Sequence, residues 1–173
     1  MTTLRERDIE ICLPSGARGR KFDVRSTHPL LERGWSGVDF IIEDDDRILF
    51  IEVKDPDDPD ATEERRATFV EGLRSGALIV SLARKYRDSF LYEWASERVE
   101  KRVYYYVLIA HAGLDDAVLL PRAEDLKRML PAEGPPAWRR QIICGVAILN
   151  MDGWNRDNRL AGFPVSRVSQ PAE

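Results

Sequence analysis

The stretch that most constrains this chain is a pair of short apolar runs, Val38 to Ile42 and Ile48 to Val53, separated by Glu43-Asp44-Asp45-Asp46-Arg47. β-Branched and aromatic residues on both sides of a short charged turn spell a β-hairpin. Side chains alternate along a strand, so Glu52 and Lys54 share one face, roughly 6–7 Å apart, while Val53 points the other way into the sheet. If Glu43 faces Ile48 across the turn, Ile41 faces Phe50 and Asp39 faces Glu52. A slip of one residue would turn every apolar side chain to the wrong face, so hydrophobic patterning holds this register.

That register sets two carboxylates opposite each other at the end of an apolar hairpin, where like charges are destabilising. A shared divalent cation is the simplest reason for a fold to keep them. Asp39, Glu52 and the backbone carbonyl of Val53 make a hard-oxygen set suited to Mg²⁺ or Mn²⁺, with the rest of the shell left to water and a substrate phosphate. Lys54, beside that shell, could orient or help deprotonate an attacking water, or stabilise charge developing on the phosphate. The chain has two histidines, His28 and His111, and two cysteines, Cys12 and Cys144. None stands at zinc-ligand spacing, and the cysteines read as small buried hydrophobes, not as a disulfide.

Around the hairpin, Asp8 to Leu13 alternates as a strand, Pro14 to Gly19 turns, and Lys21 to Val24 is expected to return as its partner. Ser26 to Gly34 reads as a short helix with Pro29 early and Gly34 ending it. After the acidic loop Asp55 to Asp60, a helix is expected from about Ala61 to Trp94, broken at Gly72 or Gly76. Ile79, Leu82, Ala83, Tyr86, Phe90 and Trp94 fall on one face of it. Val103 to Ala110 is a buried strand, Ala123 to Leu130 an amphipathic helix closed by Pro131, and Gln141 to Asn150 a last long strand. The tail from Gly153 reads as irregular, packed down by Trp154, Phe163 and Val165. This succession predicts one α/β (α+β) domain over residues 1–173, with a core of roughly 20–150 and a tail of 151–173. The apolar runs are too short to cross a bilayer, and the first residues turn charged too early for a signal peptide, so a cytoplasmic location without a membrane partner is expected.

Asp39, a hydrophobic strand, then Glu52-Val53-Lys54 resembles the PD-(D/E)xK (restriction-endonuclease-like) nuclease superfamily. The runs Gly37 to Phe40, Phe50 to Pro56 and Asn150 to Asn155 also resemble uncharacterised bacterial proteins of that fold. Val38 stands where the family name has proline. The resemblance implies an αβββαβ core, a mixed central sheet flanked by helices, and Mg²⁺-dependent hydrolysis of nucleic-acid phosphodiesters, DNA ahead of RNA. It implies metal binding by the residues matching Asp39 and Glu52, and a role at the attacking water for the one matching Lys54. Members often carry a further acidic residue on the helix before the hairpin; Glu32 is the candidate and Asp23 the reserve. They also often carry a polar residue on the helix after it; Lys85, between Ser81 and Ser89 at the edge of the apolar face, is placed to contact a substrate phosphate.

Bland readings stand beside these. Glu52 and Lys54 are also readable as the solvated face of an ordinary strand, Glu32 and Lys85 as surface charges, and Asp44 to Asp46 and Asp55 to Asp60 as solvated turns. Arg18, Arg20 and Lys21 read as a small basic loop, and His111 as structural or exposed. The net charge is −4, whereas a protein that grips nucleic acid unaided is usually basic. A protein partner or a second copy of the chain could supply that grip. Alternatively the chain is a catalytically degenerate nuclease fold acting as a binding or assembly subunit, or a regulatory partner protein with an accidental motif. Retention of all three site residues argues against degeneracy.

Overall fold

The computed structural model describes residues 2–170; Met1 and the last three residues of the expected tail lie outside it. Alternation along one strand, β5 (Arg47–Lys54), decides the layering. Ile48 and Phe50 are buried on one face, and Leu49, Ile51 and Val53 on the other. A strand buried on both sides has no polar face to spend, which is why this one reads as a nearly continuous apolar run.

In chain order the strands are β1 (Thr2–Glu6), β2 (Ile9–Leu13), β3 (Arg18–Lys21), β4 (Phe40–Glu43), β5, β6 (Arg102–Ile109), β7 (Gly145–Leu149) and β8 (Val165–Arg167). The helices are α1 (Glu63–Ser75), α2 (Ala77–Ala95), α3 (Asp116–Met129) and α4 (Met151–Arg156). Five strands form a mixed sheet in the order β3-β4-β5-β6-β7. β3, β4 and β5 are antiparallel neighbours, whereas β6 and β7 lie parallel beyond them. The β4–β5 register has Glu43 opposite Ile48 and Ile41 opposite Phe50, as the hydrophobic pattern demands. Ile79, Leu82 and Tyr86 of α2 and Leu119 and Leu126 of α3 cover one face. A second sheet, β1-β2-β8, covers the other with Ile9, Ile11, Leu13 and Val165, joined by Trp154 of α4. The fold is mixed α/β, with helices and a small sheet flanking a mixed central sheet.

Several elements differ from the sequence expectation. Lys21 to Val24 does not return against Asp8 to Leu13: β3 pairs with β4, and β2 takes β1 and β8 as neighbours. β1 is too polar and exposed to read as a strand, and β8 is only three residues long, so neither carries a local signal. Gly19 allows the two sheets to close, because a Cβ there would lie 2.7 Å from a methyl of Leu4 and 2.8 Å from one of Leu13. The tail folds as α4 and β8, and its three expected anchors, Trp154, Phe163 and Val165, are all buried.

Ser26 to Gly34 supplies only a 3-10 turn, Pro29–Arg33, closed by Gly34 in the left-handed region. Among the described residues no α-helix precedes β3, so the β1–β2 hairpin stands where the αβββαβ plan has its first helix. The long helix breaks at Gly76, with φ of 82°, and not at Gly72. Trp94 is exposed, while Ser89 and Glu93 are buried on that face instead. α3 begins well before Ala123, because Asp115 caps it by accepting the Val118 amide. Cys12 and Cys144 are free thiols, half-buried and not fully enclosed.

Candidate metal-binding site

β4 and β5 pair as far as Phe40 and Ile51, and there the ladder parts. The Val38 amide turns away to Ser89 Oγ at 2.9 Å. The Asp39 carbonyl accepts the Phe22 amide on the β3 side, while its side chain turns to β5, where Oδ2 accepts the Val53 amide at 2.6 Å. A carboxylate thus ends the ladder in place of a backbone carbonyl. Lys54 gives its carbonyl to Ala110 on the β6 side. By strand alternation, the Val53 carbonyl shares the opposite edge with its amide, toward Asp39.

Glu52 projects from the helix-facing side of β5 and is 0% exposed. Its Oε1 accepts from Lys85 Nζ and forms an ion pair with Lys54 Nζ, each at 2.6 Å. Its Oε2 is buried with no hydrogen-bond partner among the described residues. Lys85, from the middle of α2, also stands 3.8 Å from Asp39 Oδ1. The sequence-derived set Asp39, Glu52, Lys54 and Lys85 is therefore one cluster. Burial pushes the Asp39 carboxyl up to about 8; the neighbouring Glu52 charge adds to the rise, and Lys85, the Val53 amide and Lys54 only partly offset it. Burial alone would lower Lys85, but the charges of Glu52 and Asp39 outweigh it and hold the ammonium above its usual range. Lys85 therefore stays charged at neutral pH and has no lone pair to act as a base.

On the other side of Asp39 lie two acids from outside the hairpin. Carboxylate oxygens of Glu6, Asp23 and Asp39 all fall within 4.8 Å of one another. Asp23 follows β3, and burial raises its carboxyl, with Lys21 partly opposing; its Oδ1 is buried without a hydrogen-bond partner among the described residues. Glu6, at the end of β1, accepts Lys21 Nζ at 2.5 Å. A cavity of about 270 Å³ opens here, lined by Glu6, Arg7, Asp39, Val53, Lys54 and Asp55. Glu52 does not belong to this oxygen group. Sequence reasoning missed Glu6, since nothing local distinguishes it from a surface charge on an unrecognised strand. Glu32 is not in the site: it lies on the outward-facing 3-10 turn, 51% exposed, paired with Arg25. Asp23, the reserve, lies on no helix; it follows β3, and its carboxylate stands beside that of Asp39.

The loop after β5 is not solvated throughout. Arg167 of β8 binds Asp55 through both terminal nitrogens at 2.7 and 3.0 Å, and reaches Asp8 at 3.0 Å and the Ala110 carbonyl at 3.1 Å. Asp58 is buried, and Asp57 holds His111 Nδ1 at 2.7 Å, giving that histidine a structural partner. The expected basic loop is largely consumed: Arg20 pairs with Glu93 and Lys21 with Glu6. His28 is buried among Phe22, Trp35 and Tyr92, away from the acids.

No known family, curated protein or solved structure matches this chain. No helix among the described residues is long and apolar enough to cross a membrane.

Proposed function

We propose that the chain is a metal-dependent nuclease of the PD-(D/E)xK type, hydrolysing phosphodiester bonds at a site built on Asp39, Glu52 and Lys54. What supports this is the condition of the two facing carboxylates. Glu52 is wholly buried with one oxygen unpartnered, and Asp39, 5% exposed, holds its proton up to about pH 8. A buried oxygen without a partner and a carboxylate resisting ionisation both cost folding energy. A divalent cation beside them would relieve both costs, displacing the Asp39 proton as it binds.

The donors suit Mg²⁺ or Mn²⁺: Asp39, Glu52 and the Val53 carbonyl are hard oxygens, with Glu6 and Asp23 in reserve across Asp39. When bound, such an ion supplies Lewis-acid polarisation of the phosphate and a more acidic water. The residues of the chain do the rest. Lys54, 28% exposed and lining the cavity, would orient the water or meet a phosphate oxygen. Lys85 holds Glu52 in position. The cluster sits on a strand and a long helix, which keeps its geometry fixed before any substrate arrives. DNA is the first substrate to test, on the family resemblance.

One observation favours a second reading, a degenerate fold serving as a binding or assembly subunit. Two ammonium groups already sit on Glu52 Oε1, which neutralises that carboxylate without an ion.

Plasmid, linear and single-stranded DNA and RNA incubated with Mn²⁺, Mg²⁺ or EDTA separate the two. Metal-dependent cutting that disappears in Lys54→Ala is the expected result. Calorimetric titration of Mn²⁺ into wild type and Asp39→Ala gives an independent readout. A wild type that takes up no Mn²⁺ sinks the nuclease and leaves the assembly subunit. Glu6→Gln and Glu52→Gln then tell which carboxylates join Asp39 on the ion.

A further inference from the structure

We propose that a furrow beside the acidic recess is a subsite for one nucleotide of a single strand, which makes unpaired nucleic acid the substrate class; this rests on the nuclease reading above. The furrow has a volume of about 460 Å³ and shares Arg7, Lys54 and Asp55 with the recess, so the two form one continuous depression. That volume falls in the roughly 300–1,000 Å³ range of small-molecule sites. Phe69, Leu78 and Pro56 line it with apolar surface, and Phe69 is only half-buried.

The charged rim is cationic. Arg65 is exposed and pairs with no carboxylate among the described residues. Arg7 is half-exposed and reaches Asp58 only at 3.7 Å, a loose contact that a phosphate could replace. Asp55, the one acid on the rim, is neutralised by two-pronged contact with Arg167. Arg7 sits at φ of 51°, an uncommon conformation for a residue with a side chain. The turn after Glu6 uses it to place Glu6 over the recess and Arg7 over the furrow together.

An aromatic wall with guanidinium groups at its rim is the arrangement that stacks an unpaired base while holding its phosphates. In a duplex each base face is already covered by its neighbours, so the furrow selects strands whose bases are free. The phosphate leading out of the furrow arrives at Lys54, on the border shared with the acids.

Fluorescence anisotropy with Ca²⁺ in place of Mg²⁺ tests this, using a labelled single-stranded oligonucleotide and a blunt hairpin duplex of the same sequence. The single strand should bind at least about tenfold more tightly. Phe69→Leu, which keeps apolar volume, should weaken that binding by about 5- to 100-fold, the worth of a base–aromatic stack, and leave the duplex unchanged. Arg65→Gln, on the exposed rim, should lower the salt slope of single-strand binding by about one. Equal affinity for both oligonucleotides, or indifference to Phe69→Leu, overturns the subsite. Mn²⁺ calorimetry on the same proteins keeps the two levels apart. If Phe69→Leu binds Mn²⁺ like wild type yet strand preference is absent, the subsite alone falls. If wild type binds no Mn²⁺, the nuclease falls and the subsite with it.

Discussion

Asp39 takes the Val53 amide through its side chain, Oδ2 to N at 2.6 Å, where the β4–β5 ladder would otherwise continue. One oxygen of the carboxylate is spent on the sheet and the other faces Lys85. The group is thereby fixed as firmly as backbone, yet it remains an acid in a place that disfavours its charge.

Metal affinity should therefore depend on pH. With its carboxyl pushed up to about 8, Asp39 must release a proton to bind an ion. Mn²⁺ affinity should rise by up to about tenfold per pH unit between pH 6 and 8 and flatten above. Calorimetry at pH 6, 7, 8 and 9 checks this; a flat profile would mean that Asp39 is not a ligand.

The same shift bears on the stability of the metal-free protein. A folded value of about 8 against an ordinary 3.8 means that the folded state binds this proton more tightly. The favourable contribution is complete below pH 3.8 and is lost as pH rises through 8. Asp39→Asn keeps an acceptor for the Val53 amide and never ionises. Its stability relative to wild type should therefore climb by up to about 4 kcal/mol between pH 5 and pH 9, about 1.4 kcal/mol per pH unit until pH 8, while Mn²⁺ binding is lost. Urea melts at the two pH values measure the difference.

Lys85 balances a carboxylate that water does not reach. Lys85→Met should cost about 3 kcal/mol without metal, the scale for breaking a buried pair. Adding Glu52→Gln should restore much of that loss, since the buried charge then balanced by Lys54 alone is gone. A double-mutant cycle by urea denaturation gives the coupling, and strictly additive losses would refute the pairing.

Arg167 ties three separated segments together at Asp8, Asp55 and Ala110. Arg167→Ala should cost about 3 kcal/mol, lowering the melting temperature by about 6–12 °C for a chain of this size. Arg167→Lys should recover little, because an ammonium cannot reproduce the two-pronged contact with Asp55. Calorimetric melts of the three proteins decide it.

Gly76 joins α1 to α2 at φ of 82°, and a Cβ built there meets nothing within 4 Å. Gly76→Ala should therefore cost only the left-handed backbone conformation, about 1–2 kcal/mol. A larger loss in urea melts would point to a packing fault that this geometry does not contain.

The period-two alternation of residues 38–54 was enough to find the hairpin, its register and the approach of Asp39 to Glu52, because each strand touches its neighbour within a few residues of chain. Helical spacing likewise set Lys85 at the edge of an apolar face, from which it reaches Glu52. Spacing failed for Trp94, which continues the apolar stripe but lies beyond the core and is exposed. It failed too for Glu32, since the segment between β3 and β4 forms only a 3-10 turn and leaves that carboxylate outside.

By itself, then, the sequence determined the local pairing: which residues alternate, which strands meet through a short turn, and which charges must share an end of the hairpin. Only the tertiary structure decided what surrounds that end. Glu6 of β1 and Arg167 of β8 meet Asp39 and Asp55 because a second sheet is laid across the first, and Asp23 is brought in by the segment after β3. Such contacts are set by the packing of one layer on another, and short polar strands such as β1 and β8 leave no periodic trace of it in the chain.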